Sequence, residues 1–533
     1  MTRKPWLAAT GLSLYLCVVL WIQRTGGSPL HTLDLIGSCS ITILAVWVGW
    51  LVSGRRTKDP DRRGLIALVF GFWGLLFSTF QVLSEDFLGS WFQSQLFAAA
   101  SWTALCVTVC WIILRGSSSL AFVTRALGIA SIILLAGQSV QAMAGLRSEP
   151  AAQKVTDRRD GKSPDVFLIV LDKYSSGAWL SHTYGVDHKP FEDSLRALGF
   201  VVPTAARANY AHTQLALASF LNWRLFETPE AGQPALSWNG TLQLIGAART
   251  WDAFHRKGYR VVHFPSTFPA TRTLASADAE LRPNPRQVGG FGETWRMNSA
   301  LASWTPTDCA RASGQKGGAT PYPVETLDDI EWKLEAIQSL RDSAGPVVVF
   351  MHLLIPHEPY LFDSNCARRE PWWPLTDQGA DFDRIRSAYA IQVTCLDRML
   401  LRTIRGLLKR PGIRPVIILQ GDHGHGRITV NPLRGFTLTA QELSIEQLGE
   451  RFGIFAAYLF PGADTAVYND ISPVNVMPLV LQSIFGTVVP PQSDRSFWST
   501  YQNAFTFSEV APELTRPPVI KGGNGSAKTS VSR

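Results

Sequence analysis

An aspartate and a histidine stand side by side at Asp422 and His423, and glycines flank the pair at Gly421 and Gly424. A carboxylate beside an imidazole is a donor set that suits Zn²⁺ or Mn²⁺. Glycine lets the backbone turn tightly, so that two adjacent side chains can face one ion. The motif therefore predicts a metal site, against the alternative of a surface turn with incidental charges.

Two further residues carry chemistry only in combination with this pair. Asp172 ends the apolar run 166–171, where an aspartate alone often caps a helix. Thr213 opens an apolar run of helical type, and its hydroxyl there lies at the positive end of the helix dipole, which suits an anionic phosphate. A bound metal ion can lower the pKa of such a hydroxyl, as it does for water. A threonine in this position is, by itself, more often an N-cap residue.

Three histidines follow apolar runs in the same way. His352 and His357 come after the run 346–351, and His425 lies just beyond the run 416–420. The other histidines outside the metal motif are interpreted as surface or packed residues; among them are His182, His188, His255 and His263.

Short apolar runs at 166–171, 261–264, 346–351, 416–419 and 454–460 predict strands that are buried on both faces of a mostly parallel sheet. Helical patterns at 327–341 and 382–408 lie between them. This alternation indicates an α/β fold with helices on both faces of the sheet. Active sites of such sheets lie at the carboxyl ends of the strands, so the candidate residues are expected to meet at one edge.

The first part of the chain predicts a membrane domain. The 533 residues are 46% hydrophobic with a mean hydropathy of +0.06, which excludes a disordered protein. Five apolar stretches, at 6–22, 33–53, 65–83, 91–114 and 126–143, are each long enough to cross a hydrocarbon core of about 30 Å. A signal peptide is the alternative for the first stretch, but four more follow it and no small-residue cleavage site is evident.

Basic residues set the orientation. The loop 54–64 carries five arginine and lysine residues, which places it in the cytoplasm by the positive-inside rule. The N-terminus is then also cytoplasmic, and everything after the fifth span is extracytoplasmic. We expect a five-helix membrane domain over 1–143, a linker over 144–163, a catalytic domain over 164–510 and a disordered tail over 511–533.

The cysteines divide between the predicted membrane domain and the outside domain. Four lie in the predicted spans as packing residues, namely Cys17, Cys39, Cys106 and Cys110. Of the three in the outside domain, where oxidation is permitted, Cys309 and Cys366 are the preferred disulfide pair and Cys395 is expected to be free. No basic stripe with interleaved aromatic residues is evident, so a nucleic-acid partner is not expected.

The order and spacing of these motifs resemble the alkaline phosphatase superfamily. The motifs are the strand ending in Asp172, the segment Asn-Tyr-x-x-Thr213, the pair His352 and His357, and Gly-Asp422-His423-Gly. The greatest similarity is to the sulfatase-like membrane branch, which includes lipoteichoic acid synthases and lipid A phosphoethanolamine transferases. That branch also joins about five spans to an outside catalytic domain with a mostly parallel sheet.

The resemblance implies roles for these residues. Asp172, Thr213, Asp422 and His423 would bind one divalent metal, Zn or Mn, and Thr213 would be the nucleophile that carries a phosphoryl intermediate. His352 and His357 would bind substrate and transfer protons, with His425 as a further substrate-binding residue. Members of the branch often carry glutamate where Asp172 stands, and two-metal members often carry another acid at the position of Lys173, so one metal is favoured over two.

Three functions follow from this resemblance. The first is a phosphotransferase of a bacterial inner membrane, which takes a group from a membrane lipid donor to an envelope lipid or glycan acceptor. The second is a phosphoester hydrolase with the same residues, and the third is a non-catalytic lipid sensor or scaffold. A formylglycine sulfatase is disfavoured, because no cysteine or serine is followed by x-Pro-x-Arg. The oligomeric state is left open.

Overall fold

The computed structural model describes residues 4–25, 32–77, 79–80, 95–116, 120–127, 129–130, 133, 163–227, 236–282, 295, 325–340, 345–369, 382–426, 438–462, 466–501 and 503–515. Several expectations fall outside these residues. They concern Cys309, most of the segment 126–143, most of the linker and the tail beyond residue 515.

The longest described helices of the N-terminal part are α1 Pro5–Thr25, α2 Thr32–Ser53, α3 Pro60–Leu75 and α4 Gln95–Arg115. Within the described residues, one helix is both long and apolar enough to cross a membrane, at Leu33–Ser53. Shorter apolar helices lie at Pro5–Trp21 and Ala99–Arg115. The described residues thus show one clear span where the sequence predicted five. The third predicted stretch, 65–83, differs from the helix observed there, because α3 begins at Pro60 and has charged residues in its first turn.

The second part is built on a six-stranded sheet with the order β3-β2-β4-β1-β5-β6. The strands are β1 Val166–Asp172, β2 Arg260–Phe264, β3 Ala279–Glu280, β4 Val347–Pro356, β5 Val416–Gly421 and β6 Ala456–Leu459. All neighbours are parallel except β5 and β6, which are antiparallel. Two short strands, β7 Ser496–Trp498 and β8 Ser508–Val510, form a separate antiparallel pair. The predicted α/β class and the five predicted strands are confirmed, whereas β3 is too short to show as an apolar run.

The helices of this part are α5 Gly177–Trp179, α6 Lys189–Ala197, α7 Thr213–Asn222, α8 Trp238–Gly246, α9 Arg249–His255, α10 Leu327–Ser339, α11 Phe382–Leu408, α12 Ile445–Phe452 and α13 Val476–Phe485. The predicted helix 382–408 is confirmed at both ends, and α10 stops two residues before the predicted end. A capping box between Thr326 and Asp329 begins α10, because it satisfies backbone N–H groups that the first helical turn leaves unpaired.

The sheet separates two hydrophobic cores. Alternate residues of β1 enter opposite cores: Val166, Leu168 and Val170 pack on one side, and Phe167, Ile169 and Leu171 pack on the other. Every residue of β1 is therefore buried, and this explains why the strand is apolar without alternation. Helix α7 packs in the first core, and α10 and α11 pack in the second.

The disulfide prediction was wrong. Cys366 is bonded to Cys395, with 5.4 Å between their Cα atoms. Cys395 lies on the buried face of α11, and the turn that contains Cys366 packs against that face. A helical cysteine faces one fixed direction, and its partner depends on which loop covers that face, a feature that the sequence does not show.

A buried polar cluster holds the chain where it leaves β1. The hydroxyl of Tyr174 donates to Asp397 and contacts Nε2 of His188 at 3.0 Å. Nδ1 of His188 lies 3.2 Å from Glu192. Burial alone would disfavour the imidazolium, but hydrogen bonds with Asp397 and Glu192 raise the pKa of His188 to about 9. A protonated His188 therefore links the carboxylates of Asp397 and Glu192 to the hydroxyl of Tyr174, the residue that follows Lys173.

We expect this cluster to make folding stability depend on pH. The folded pKa of His188, about 9, lies above the value of about 6.5 for an unfolded chain. The stabilisation is therefore complete below pH ~6.5 and is lost as the pH rises through about 9. Its size is of the order of 3 kcal/mol. In thermal melts of the full chain in detergent, the melting temperature of the wild type should fall between pH 6.5 and 9.5. His188→Gln should have a lower melting temperature than the wild type at pH 6.5 and should lack this fall.

His255→Gln is the matched control, because His255 also pairs with a carboxylate but has a side chain 35% exposed. It should keep the pH profile of the wild type. An unchanged alkaline fall in His188→Gln would show that another group titrates.

A candidate metal and catalytic site

Three candidate residues reach the same edge of the sheet because β1 lies between β4 and β5. Asp172 is the last residue of β1, His352 is within β4, and Asp422 follows β5 directly. The strands are parallel and in register, with Val170 beside His352 and Leu171 beside Gly421. An irregularity between Leu171 and Asp172 shifts the register at the end of β1. The sequence prediction that these residues meet at one edge is consistent with this geometry.

Asp172, Asp422 and His423 form a buried cluster in which one ligand atom from each residue lies within 4.8 Å of the others. Nε2 of His423 is 3.3 Å from a carboxylate oxygen of Asp422 and 3.8 Å from one of Asp172. These are the donor types of zinc and manganese sites.

The neighbouring backbone determines which nitrogen of His423 can bind an ion. Nδ1 lies 3.0 Å from the carbonyl oxygen of Gly424. A carbonyl only accepts hydrogen bonds, so Nδ1 carries the proton and the lone pair of Nε2 faces the cluster. Burial also lowers the pKa of His423 well below its usual value. The ring is therefore neutral, which is the form that binds a metal.

The two carboxylates are costly to bury without a cation. Burial, together with the charge of Asp422, raises the pKa of Asp172, and burial raises the pKa of Asp422 to about 6. One oxygen of Asp422 accepts the backbone N–H groups of Lys173 and His423, at 3.1 and 2.7 Å. Its second oxygen, and one oxygen of Asp172, accept no hydrogen bond within the described part of the chain. Buried oxygens without donors fit a bound divalent ion.

The glycines of the motif are required by close packing. A side chain on Gly421 would place Cβ 2.6 Å from the carbonyl oxygen of Tyr174, and one on Gly424 would place it 1.9 Å from that of Glu450. Neither glycine has a positive φ. These glycines therefore allow two backbone segments to approach closely, instead of allowing the tight turn that the sequence predicted.

Thr213 lies next to this cluster. It is the first residue of α7, and its hydroxyl oxygen is 3.0 Å from Nε2 of His423. The N-cap position is taken by His212, whose side chain caps nothing. Nε2 of His212 donates instead to the carbonyl of Ser499, at 2.9 Å. The hydroxyl of Thr213 therefore faces both the positive end of a helix and the metal ligands.

His352 is buried beside Asp172, with Nε2 4.0 Å from a carboxylate oxygen of that residue. Nδ1 forms a hydrogen bond of 3.0 Å with the hydroxyl of Thr271, which fixes the ring. Burial, with the charge of Lys333, lowers the pKa of His352 to about 3. Nε2 has no hydrogen-bond partner among the described residues. A neutral ring held in this way suits substrate binding.

His357 and His425 have different surroundings. His357 has a side chain 34% exposed, and its Nδ1 is 2.6 Å from the carbonyl oxygen of Glu358. Its backbone N–H donates to the carbonyl of Asp172, which places it at the rim of the cluster. His425 is buried, and its Nε2 is 3.1 Å from the hydroxyl of Tyr360. Its ring also packs against Tyr389, so a substrate-binding role for His425 stays a prediction.

Sequence reasoning missed two residues near the cluster. The guanidinium of Arg451 is buried, and its Nη2 lies 3.1 Å from Nε2 of His423. It also donates to the carbonyls of Ala211 and Gly424. Tyr501 interacts with the charges of Asp172 and Arg451, and its ring meets His212 at a centroid distance of 4.5 Å. Both residues come from distant parts of the chain, and neither belongs to a local motif.

Lys173 supplies a second fixed cation at this edge. It has a positive φ of 63°, and its ammonium group lies 2.7 Å from a carboxylate oxygen of Glu358. The hydroxyl of Tyr389 donates to the carbonyl of Lys173, at 2.6 Å. The lysine thus bridges the end of β1 to the segment that contains His357. An ammonium group here is consistent with the prediction of one metal ion.

No family model matches the chain, and no curated protein matches it. Solved structures do resemble it. The periplasmic domain of EptC from Escherichia coli, in complex with Zn, is 13% identical, and the match covers 61% of this chain and 84% of that one at a TM-score of 0.39. The integral membrane lipooligosaccharide phosphoethanolamine transferase EptA from Neisseria meningitidis is 11% identical, with 86% and 96% covered at a TM-score of 0.39.

A phosphonate monoester hydrolase of Agrobacterium radiobacter is 15% identical, and the match covers 63% of this chain and 80% of that one at a TM-score of 0.37. Sulfatases are also among the similar structures. Phosphoethanolamine transferases, sulfatases and a phosphonate monoester hydrolase are thus among the solved structures similar to this chain.

The metal site can be tested by removing one negative charge. Asp422→Asn keeps an oxygen that can accept from Lys173 and His423, so the turn should stay intact, but a neutral amide is a poorer ligand. We expect about one Zn or Mn per wild-type chain by mass spectrometry of the metal content, and at least a tenfold lower content in the variant. Asp252→Asn is the control, because Asp252 lies on the surface. Equal metal content in all three proteins would contradict the site.

Proposed function

We propose that this protein is a metal-dependent phosphotransferase that modifies an envelope lipid or glycan through a phospho-threonine intermediate on Thr213. The observation that supports this most is the position of the Thr213 hydroxyl, 3.0 Å from Nε2 of His423 and at the start of α7. A nucleophile is usually activated by an adjacent cation or base. A threonine that served only as an N-cap would accept a backbone N–H instead.

Asp172, Asp422, His423 and Thr213 would hold the ion. When bound, the ion supplies Lewis-acid polarisation of the phosphoryl oxygens and lowers the pKa of the attacking hydroxyl. The dipole of α7 favours the charge of the phosphoryl group at its N-terminus. The neutral ring of His352 would hydrogen-bond a phosphoryl oxygen through Nε2, which lies 4.0 Å from a carboxylate oxygen of Asp172.

The reaction has two steps. In the first, the hydroxyl of Thr213 gives up its proton and its oxygen attacks phosphorus, while the bond from phosphorus to the donor alcohol breaks and that oxygen takes up a proton. In the second, the acceptor hydroxyl gives up its proton and its oxygen attacks phosphorus, while the bond from phosphorus to Thr213 breaks and the Thr213 oxygen takes up a proton. His357 would carry these protons, since its side chain is 34% exposed at the rim of the cluster and its Nδ1 donates to the carbonyl of Glu358.

A phosphoester hydrolase would use the same groups with water as the acceptor, so the product distinguishes the two reactions. A non-catalytic sensor is disfavoured by the cluster of Asp172, Asp422 and His423, since buried carboxylates without a role would be costly. The donor is proposed to be a membrane lipid, and the acceptor an envelope lipid or glycan.

Substitutions of Thr213 test the proposed reaction. Thr213→Ala should lower turnover by about 10³-fold or more, and Thr213→Ser, which keeps a hydroxyl, should retain part of it. The assay uses the full chain in detergent with fluorescent phosphatidylethanolamine and phosphatidylglycerol as donors, alongside p-nitrophenyl phosphate. Peptide mass spectrometry should find the transferred group on Thr213. Full activity in Thr213→Ala would exclude the mechanism, and release of free phosphate alone would favour the hydrolase.

We further propose that the chain spans a bacterial inner membrane five times, with the catalytic domain 164–510 in the periplasm. The basic loop 54–64 supports this orientation. A reporter that works only in the cytoplasm should be active when it is fused after residue 60. A reporter that works only in the periplasm should be active when it is fused after residue 164. Activity of the cytoplasmic reporter after residue 164 would indicate an even number of spans and contradict the proposal.

A further inference from the structure

Four cations lie along one face of α11 and its first following residue. Arg398, Arg402, Arg405 and Lys409 follow each other at spacings of four, three and four residues and are all exposed. Such spacings return to the same side of a helix. The opposite side of α11 is buried in the core through residues such as Leu400, Ile404 and Leu407. We call these four residues the basic stripe.

The basic stripe has no acidic partner within the described part of the chain. None of its four residues forms an ion pair there with an aspartate or glutamate. Arg398 instead donates to Sγ of Cys366, at 3.6 Å. Neighbouring side chains at these spacings are about 5–6 Å apart, which is well within the screening length of physiological salt. The four positive charges therefore repel each other, and an anion would relieve that repulsion.

The stripe lines a groove. Its four cations, together with Gln338 of α10 and Gly406, surround an open groove of about 580 Å³. A side chain on Gly406 would place Cβ 1.9 Å from the side-chain oxygen of Gln338. The side chain of Gln338 therefore lies directly over Gly406 and forms the second wall of the groove. The groove is a feature of the packing between two helices.

The groove is at the edge of the sheet opposite to the metal cluster. Arg410, the residue after the stripe, pairs with Asp165 at 3.1 Å, and Asp165 comes directly before β1. Asp165 also accepts the backbone N–H of Val347, the first residue of β4. The stripe therefore ends where the strands begin, whereas Asp172 and Asp422 lie where they end. A ligand in the groove does not compete for the catalytic cluster.

We propose that this groove is a binding site for an extended phosphate-bearing polyanion, such as a phosphorylated envelope polymer. From Arg398 to Lys409 the stripe extends for about 16 Å along the helix axis, more than a single phosphate can cover. A linear chain of phosphates can face all four cations in turn. A flat membrane surface fits less well, because Gln338 of α10 forms a second wall beside the cations. The site is independent of the proposed reaction and would hold a polymeric ligand near the enzyme.

The test is a titration of the full chain, in a non-ionic detergent, with polyphosphate of about 20 units. Arg402→Glu/Arg405→Glu should weaken binding by about tenfold or more, because both charges lie at the centre of the stripe. Arg384→Glu/Arg386→Glu is the matched control, since it changes the net charge equally on exposed residues of the same helix outside the groove. It should change the affinity less than twofold. Added salt should weaken binding to the wild type.

Three results would overturn the proposal. Equal losses in the two double variants would show that only the overall charge attracts the polymer. Inorganic phosphate that binds as tightly as polyphosphate would indicate a single-anion site. Binding to mixed micelles containing phosphatidylglycerol, without binding to polyphosphate, would indicate a membrane-facing surface. If the charge-reversal variant is misfolded by circular dichroism, Arg402→Gln/Arg405→Gln replaces it, with the same expected direction.

Discussion

Two carboxylates, Asp172 and Asp422, are buried next to each other at one edge of the sheet, and the surrounding structure offsets this electrostatic cost. Backbone N–H groups of Lys173 and His423 donate to one oxygen of Asp422. The guanidinium of Arg451 and the ammonium of Lys173 lower the pKa of Asp172 against the effect of burial. The remaining oxygens face the position where an ion would lie. A divalent cation is the simplest partner for such a pair.

The positions of these groups follow from the sheet order. Because β1 is the central strand between β4 and β5, the residues that follow all three strands meet at one edge. The turn after β1 is held from behind by Tyr389 of α11, which donates to Lys173, and by the cluster of Tyr174, His188 and Asp397. Residues outside the cluster of Asp172, Asp422 and His423 therefore supply hydrogen bonds that hold this turn in place.

Sequence patterns predicted the parts of this arrangement that are local. Asp172, Asp422 and His423 could be found because each follows an apolar strand, and Thr213 because an apolar helix begins there. Arg451 and Tyr501 could not, since their proximity to the cluster depends on how distant segments pack. The same reason explains the wrong disulfide, because the partner of Cys395 is set by the loop that covers α11. The membrane part shows the limit of hydropathy alone, which marks apolar stretches more readily than helix ends.

Helix α11 connects two features that the sequence does not link. Near its start, Tyr389 supports the turn that carries Asp172 and Lys173, and near its end the basic stripe faces solvent. The cations of the stripe are separated by apolar residues that enter the core, so they do not form a charge run in the sequence and only the helical period brings them together. A polyanion bound in the groove would lie at the opposite edge of the sheet from Asp172 and Asp422, so it would leave the cluster accessible to substrate.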